Sequence, residues 1–400
     1  MRIGLFTDTY APEVNGVATV VGITQRELAK RGHEVHIFAP SHPGDSDGSR
    51  ELHRLPSLPF IFYPGMRIAL PYRRHTLQLI RSLDVIHSHT PGPVGLLALW
   101  AARKYHIPHV HHYHTHYAEY RYYLPWPVRP SLAAVERMAS GFCNRCQAVI
   151  APSHQIQREL ESYGVQTPIY PLSFGPEKRP FSRKIQWDVR KHYNLPSEDL
   201  LLYVGRLGTE KNLDFLLRAF KHVVAGRSSA RLFIAGSGPE RPKLERHAAD
   251  LGIASYVIFT GNLERERLID LYKQALFVFA SKTETQGMVL VEAMMAGSPV
   301  VAIGRMGVLD VVRPGETGIL VEENEEEFAQ ACLRLLEDRA ERERMGRAAK
   351  EWADSHSAEV SVDRLLTIYH AARERESGIF TSTAEAAPGS APSPHPSRQD

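Results

Sequence analysis

Short β-branched runs alternate with longer helical patterns along this chain, and the alternation starts afresh halfway. Residues 3–7, 34–39, 84–88, 108–112 and 148–151 read as strands, with helices over 17–31 and 94–104. After a stretch rich in proline and charge at 168–191, strands recur at 200–204, 231–235, 257–260, 276–280 and 299–302, separated by helices such as 212–224 and 239–250. Neighbouring parallel strands need crossover connections, and these are right-handed, so each half is expected to form a parallel sheet with helices on both faces. The predicted fold class is α/β: two Rossmann-like, doubly wound domains at 1–170 and 196–357, a linker at 171–195, and a cleft between the halves. In such sheets ligands bind outside the carboxyl ends of strands, so the loops following strands are where chemistry is sought.

Composition narrows the function classes. With 43% hydrophobic and 23% charged residues in 400, whole-chain disorder and a disulfide-stapled mini-protein are excluded. No run approaches the ~18 apolar residues of a membrane span, and Asp8 comes too early for a secretory signal, so a cytoplasmic protein is expected. Residues 1–170 carry 17 Lys/Arg against 12 Asp/Glu and 14 of the 20 His. That mild excess is too sparse for a nucleic-acid partner, whereas one local patch serves an anionic membrane surface. Cys143 and Cys146 have CxxC spacing, but no second pair completes a zinc site, and two small residues on one helix face is the preferred reading.

Residues 57–74 mix Phe60, Phe62, Tyr63 and Met66 with Arg67, Arg73 and Arg74. An interfacial membrane-docking element fits both the rings and the charges, and a loop packed on its own domain fits as well. The stretch 381–400 is a disordered tail by composition.

Three segments carry the chemistry. In Thr283-Glu284-Thr285-Gln286-Gly287-Met288-Val289-Leu290-Val291-Glu292, a strand gives way to a polar loop and then a helix. Gly287 lets the backbone approach a ligand, and free amides at the helix start are expected to hold an anion. Glu284 and Glu292 are expected to make two separate contacts; two surface acids at a helix start is the plain alternative. In Gly205-Arg206-Leu207-Gly208-Thr209-Glu210-Lys211-Asn212, Arg206 and Lys211 can clamp a diphosphate, or be solvated bases of an ordinary turn. The run from His109 to His116 closes a strand. His112, His114 and His116 would share one strand face and could bind zinc, but one His placed at the cleft is preferred to a metal site. Ala235-Gly236-Ser237-Gly238-Pro239-Glu240 lacks the third glycine of GxGxxG, because position 241 is Arg. No GxxxxGK[ST] occurs, and the DxD spacing of Asp45 and Asp47 lies in a Gly/Ser/Pro loop far from other ligands.

Taken together, the opening RIGLFTDTYAPEVNGVATVV, the YHTHYAEYRYY segment, Ala151-Pro152-Ser153, GRLGTEKN, AGSGPER and the E-x7-E spacing of Glu284 and Glu292 resemble the family 4 glycosyltransferases. These are retaining enzymes of the two-domain GT-B fold. The resemblance spans residues 1–375, and the TDTYAPEVNG, HTxYxxYxxY and TETQG forms look like the branch that glucosylates 1,2-diacylglycerol. It implies catalytic roles for His114, Glu284, Arg206 and Lys211. It implies donor contacts from Gly16, Gly236, Gly238, Gly261, Asn262, Thr285, Gln286, Gly287, Met288 and Val289, with Glu292 on the ribose hydroxyls. Phe60, Phe62, Tyr63, Arg67, Arg73, Arg74 and Tyr117 would face the acceptor or the membrane. No cofactor and no metal is expected, and a helix at 358–376 should cross back onto the first domain. One departure is Ser173, where the family usually has glycine, in a turn that shapes the hinge.

The expected partners are a nucleotide-sugar donor, a lipid acceptor at the membrane interface and an anionic phospholipid surface, with the protein peripheral on the inner face of the plasma membrane. The readings kept open are a UDP-glucose-dependent lipid glucosyltransferase, a GDP-mannose-dependent mannosyltransferase or a transferase acting on a soluble polysaccharide precursor, and a silent nucleotide-sugar-binding protein.

Overall fold

The computed structural model describes residues 1–13, 15–43, 50–59, 67–70, 74–114, 116, 129–195 and 199–378, the side chains of Arg74 and His75 aside. Strands β1 (Arg2–Phe6), β2 (Glu34–Pro40), β3 (Leu52–Leu55), β6 (Val85–Ser88), β7 (His109–His112), β8 (Ala148–Ala151) and β9 (Ile169–Pro171) form one sheet in the order β3-β2-β1-β6-β7-β8-β9. Every pairing in it is parallel. The second sheet, also parallel, runs β12 (Val257–Gly261), β11 (Arg231–Ala235), β10 (Leu200–Val204), β13 (Leu276–Phe279), β14 (Val300–Ile303) and β15 (Gly318–Val321). This is the doubly wound architecture expected, built twice.

The strands are short, apolar runs because both faces are covered. Leu200 to Tyr203 and Leu276 to Phe279 are at most 1% exposed, and both lie in one core with the helices Leu213–Gly226 and Glu325–Glu337. A run buried on both sides needs no polar alternation. Strands β3 and β15 were not anticipated from the sequence. They are four residues long and only partly buried, so their apolar runs are too brief to signal a strand.

Residues 57–59 and 67–69 pair as an antiparallel hairpin, β4 (Ser57–Pro59) and β5 (Arg67–Ala69), outside both sheets. The stretch between them, with Phe60, Phe62 and Tyr63, lies outside the described residues, as do Arg73, Tyr117, Asp45, Asp47 and the tail at 381–400.

The helix Ala358–Glu376 leaves the second half and docks on the first. Val362, Leu365, Ile368, Tyr369 and Ala372 join the core built on β1, β2 and β7. Polar ties fix its approach: Arg31 donates to Asp363 at 2.8 Å and to the Glu359 carbonyl at 2.8 Å, and Ser361 donates to the Ser173 carbonyl at 3.0 Å. Ser173 is absent from the residues with positive φ, so the strain its replacement of glycine would bring does not arise. The close approach falls two residues on, at Gly175, where a Cβ would lie 2.0 Å from the His356 carbonyl oxygen.

Candidate functional site

Each sheet reverses its winding once, between β1 and β6 in the first and between β10 and β13 in the second. The loops leaving those strands diverge there and open a crevice. In the second half the crevice is flanked by Gly205 and Arg206 after β10 and by the loop from Ser281 to Gly287 after β13. The carboxyl edges of the two sheets meet through these loops. Thr285 Oγ1 donates to the His114 carbonyl at 3.1 Å, Gln286 Nε2 to the Phe174 carbonyl at 2.7 Å, and the His154 amide to Asp310 at 2.7 Å. Met288 extends the contact by packing on the first domain's core.

Glu284 and Lys211 form the centre of this arrangement. Lys211 Nζ lies 2.9 Å from Glu284 Oε2, with both side chains less than one-fifth exposed. Glu284 Oε1 accepts the Gly287 amide at 3.1 Å, and the Glu284 carbonyl accepts the Gly307 amide at 2.9 Å. Burial pushes the Glu284 carboxyl up, but Lys211 and the amides of Gly287 and Gln286 outweigh it, and the group sits below its ordinary value. Free amides at the start of the helix Met288–Met295 were expected, and no side chain caps its first turn; Glu284 takes the amide of Gly287, the residue that precedes the helix. Gly287 itself is needed, with φ of 71° and a would-be Cβ 2.7 Å from Leu290 Cδ1.

Glu292, one and a half turns on, has a different environment. Tyr272 donates to its Oε2 at 3.2 Å and Arg265 stands 3.6 Å from its Oε1. Burial dominates over Arg265 and Tyr272, and the carboxyl is held above its ordinary range. The two acids therefore make separate contacts and are pushed in opposite directions. Arg265 and Tyr272 were missed in the sequence; they are seven residues apart on the helix Arg265–Tyr272, hence on one face, and that spacing was the available signal.

The glycines divide by what they touch. Gly205 (φ 154°) would put a Cβ 2.7 Å from Tyr203 Oη, whose hydroxyl donates to the Arg206 carbonyl at 3.2 Å. Gly236 and Gly238 are required by loop-on-loop packing, since their Cβ atoms would fall 2.0 Å from the Gly205 carbonyl oxygen and 2.3 Å from that of Leu207. Gly16 has no such need, since a Cβ there would meet nothing within 4 Å; at Gly261 the demand is the backbone's φ of 68°, because a Cβ would meet only Arg241 at 3.6 Å. Gly16 opens the helix Gly16–Lys30, capped by Asn15 accepting from the Ala18 amide at 2.9 Å. Arg206 and Asn262 are exposed at their strand ends, while Val289 packs on the second domain's core. Lys211 ends a 3-10 turn, Thr209–Lys211, directly before Asn212, which caps the helix Leu213–Gly226 that it was expected to start. Gly307, also missed, passes so close that a Cβ would lie 2.4 Å from the Thr285 carbonyl oxygen.

His114 is partly buried at the edge of a histidine array. Its Nε2 lies 2.9 Å from His89 Nδ1, its ring stacks on His112 at 3.7 Å between centroids, and burial lowers it to about 3, with His111 adding to the fall. The face shared by His112, His114 and His116 on an extended strand does not exist: β7 ends at His112, and His116 turns away to pair with Glu159 at 2.7 Å. Arg67 departs from the docking reading as well. Its guanidinium donates to Ser57 Oγ at 2.7 Å and to the Ser57 carbonyl at 3.0 Å, bracing the hairpin across β4 and β5. Cys143 and Cys146 are buried and unbridged.

Comparison with known proteins agrees with this geometry. Residues 14–172 match the family model described as Glycosyltransferase Family 4, and residues 185–352 that described as Glycosyl transferases group 1. The alpha-monoglucosyldiacylglycerol synthase of Streptococcus pneumoniae is 35% identical over 351 residues, 84% of this chain and 78% of that one. The GDP-mannose-dependent alpha-mannosyltransferase of Mycobacterium tuberculosis is 28% identical over 94% of this chain and 98% of that one. Among solved structures, Anabaena HepE in complex with UDP and glucose superposes with a TM-score of 0.75 at 17% identity, covering 93% of this chain and 99% of that one. Sucrose-phosphate synthase from Thermosynechococcus elongatus gives 0.73 at 22% identity, covering 92% and 98%. At those identities the likeness concerns the fold, which is GT-B.

Proposed function

This chain belongs to glycosyltransferase family 4, and from that premise we propose that it moves glucose from UDP-glucose to 1,2-diacylglycerol at a membrane surface. The observation that carries the transfer reading is the Lys211–Glu284 pair at the second sheet's winding reversal, on the loop whose Thr285 reaches the His114 carbonyl, with Arg206 exposed at the end of β10. Such a site holds cations for a leaving diphosphate and a carboxylate for the transferred sugar. The donor-site carboxylates have cationic or hydroxyl partners of their own, and the reaction proposed needs no metal ion.

In the retaining mechanism inherited from the family, the bond from the sugar's anomeric carbon to the diphosphate breaks as the acceptor hydroxyl attacks from the same face. The hydroxyl proton passes to the departing phosphate oxygen. Arg206 and Lys211 stabilise the charge that grows on the diphosphate, in a cleft where water is sparse and such stabilisation is large. Lys211 is held ready by Glu284, and donor binding shares it between carboxylate and phosphate. Glu292, kept above its ordinary range and next to Tyr272, is suited to accept from the ribose hydroxyls.

The lipid acceptor rests on the 35% identical monoglucosyldiacylglycerol synthase and on the first domain's excess of basic residues. Among the described residues no helix is long and apolar enough to cross a membrane, so the enzyme would reach a bilayer acceptor by docking on its surface. Leu58 and Leu70, 58% and 48% exposed at the hairpin, offer apolar contact. The GDP-mannose reading is the alternative, given the mannosyltransferase relatives. Incubating the purified protein with diacylglycerol vesicles and, separately, UDP-glucose, UDP-galactose and GDP-mannose tests it. Glucosyl-diacylglycerol seen by mass spectrometry with UDP-glucose alone is the expected product; mannosylated lipid, or nucleotide release with no glycolipid, would overturn the donor or the acceptor respectively.

A further inference from the structure

Six histidines lie along β7 and around the carboxyl ends of β6 and β7, more than a cleft histidine and its support require. His87, His89, His109, His111 and His112 are all 0–1% exposed. Two are accounted for: Ser88 Oγ lies 2.7 Å from His109 Nε2 and 2.9 Å from His111 Nδ1. The other three are not. His87 uses Nδ1 on the Tyr369 hydroxyl at 2.7 Å and leaves Nε2 without a partner. His89 uses Nδ1 on His114 and leaves Nε2. His112 leaves both ring nitrogens. Four unpaired nitrogens within one buried cluster is costly, because each forfeits its hydrogen bond to water.

The three rings converge. One nitrogen from each of His87, His89 and His112 can be chosen so that all lie within 4.8 Å of one another, and this is the one such group among the described residues. The neighbouring contacts fit metal ligation. If the Nε2 atoms of His87 and His89 face an ion, their Nδ1–H groups donate to the Tyr369 oxygen and to His114 Nε2, the supporting bonds that orient ligating imidazoles. Three imidazoles with no carboxylate select a borderline-soft dication of the zinc or cobalt class over magnesium or calcium.

We propose that His87, His89 and His112 bind one zinc-class dication beneath the donor cleft, separate from the transfer chemistry. The ion joins the ends of two adjacent strands. Through Tyr369 it also braces the helix Ala358–Glu376 against the first domain, and through His89 it fixes the ring of His114.

The test uses the full chain, stripped with a chelator and titrated with cobalt(II) under visible spectroscopy, then with zinc in competition. Wild type should take up one equivalent with the absorption of a four-coordinate site of three nitrogens and one water, and zinc should displace it. His112→Asn and His87→Gln should lose that equivalent, Tyr369→Phe should weaken binding by about 10–100-fold, and His106→Ala should change nothing. One equivalent of zinc should also raise the Tm of wild type where magnesium does not, a result that holds even if the variants misfold. No saturable cobalt binding by wild type, no zinc-dependent Tm rise, or undiminished binding in folded His112→Asn would each overturn the proposal and leave ordered water as the partner of these nitrogens.

Discussion

Glu284 accepts Lys211 Nζ at 2.9 Å through one carboxylate oxygen and the Gly287 amide at 3.1 Å through the other, so one side chain joins the turn after β10 to the helix start after β13. Both groups proposed to act on the donor are thereby placed before any substrate arrives. Lys211→Met and Glu284→Gln should each lower kcat by at least ~100-fold, the scale of losing one preorganised charge at a developing charge. Removing one partner strands the other in a largely buried site, at a cost of up to ~3 kcal/mol. The double variant should recover part of that stability in urea denaturation while activity stays lost; near wild-type turnover in either single variant would refute the site assignment.

The opposite shifts of the two glutamates give opposite pH signatures. Glu284 sits below its ordinary value, so its contribution to stability is present above about pH 4.3 and is lost as pH falls through the folded value. Glu292 sits above, so its contribution is present below that point and is lost as pH rises through the folded value. Glu284→Gln should therefore flatten the acid limb of stability against pH, while Glu292→Gln should raise stability near neutrality in the ligand-free protein. The same Glu292→Gln change should weaken nucleotide binding by about tenfold, the worth of a hydrogen bond to a charged group. Calorimetric titration with UDP beside denaturation curves from about pH 4 to pH 8 separates the two effects.

The parts of this molecule legible in sequence are those that repeat or carry period. Strands such as 200–204 and 276–280 were visible because doubly buried strands are unbroken apolar runs, and the E-x7-E loop because a glycine sits where strand gives way to helix. Contacts across the chain were not visible. Nothing in the spelling of 281–287 says that Glu284 occupies the Gly287 amide, since that depends on the loop's closure. Nor does the His109–His116 run announce that His112 meets His87 and His89: strand alternation groups residues within one strand, whereas this cluster is assembled across a parallel pairing that puts Ile86 beside His109.

Gly307 shows how a residue without a motif can hold the site. Its φ is ordinary for any residue, so the demand on it is space alone: a Cβ would lie 2.4 Å from the Thr285 carbonyl oxygen and 2.9 Å from that of Glu284. Gly307→Ala should displace the 284–287 loop, cost about 1–3 kcal/mol as an overpacked contact does, and reduce kcat more than KM. Gly16→Ala, which meets nothing in the protein, should keep full stability and lose donor affinity only if the diphosphate passes over it. Thermal denaturation together with steady-state kinetics on both variants reads the contrast.

Docking on a bilayer should rest on apolar contact at the hairpin and on the basic balance of the first domain, with Arg67 taking no direct part because Ser57 already engages its guanidinium. Leu58, 58% exposed on β4, is the hairpin side chain proposed to insert. Cosedimentation with phosphatidylglycerol-rich vesicles should exceed that with neutral vesicles, and the difference should fade as salt shortens the screening length to a few ångströms near ~1 M. Leu58→Glu should weaken binding to both vesicle types, since it removes apolar burial and adds a charge of the same sign as the lipid. Arg67→Gln keeps a donor for Ser57 and should leave the salt dependence unchanged. Equal binding to neutral and anionic vesicles at every salt concentration would remove the electrostatic part of the membrane reading, and the acceptor would then have to be brought to the enzyme by apolar contact alone.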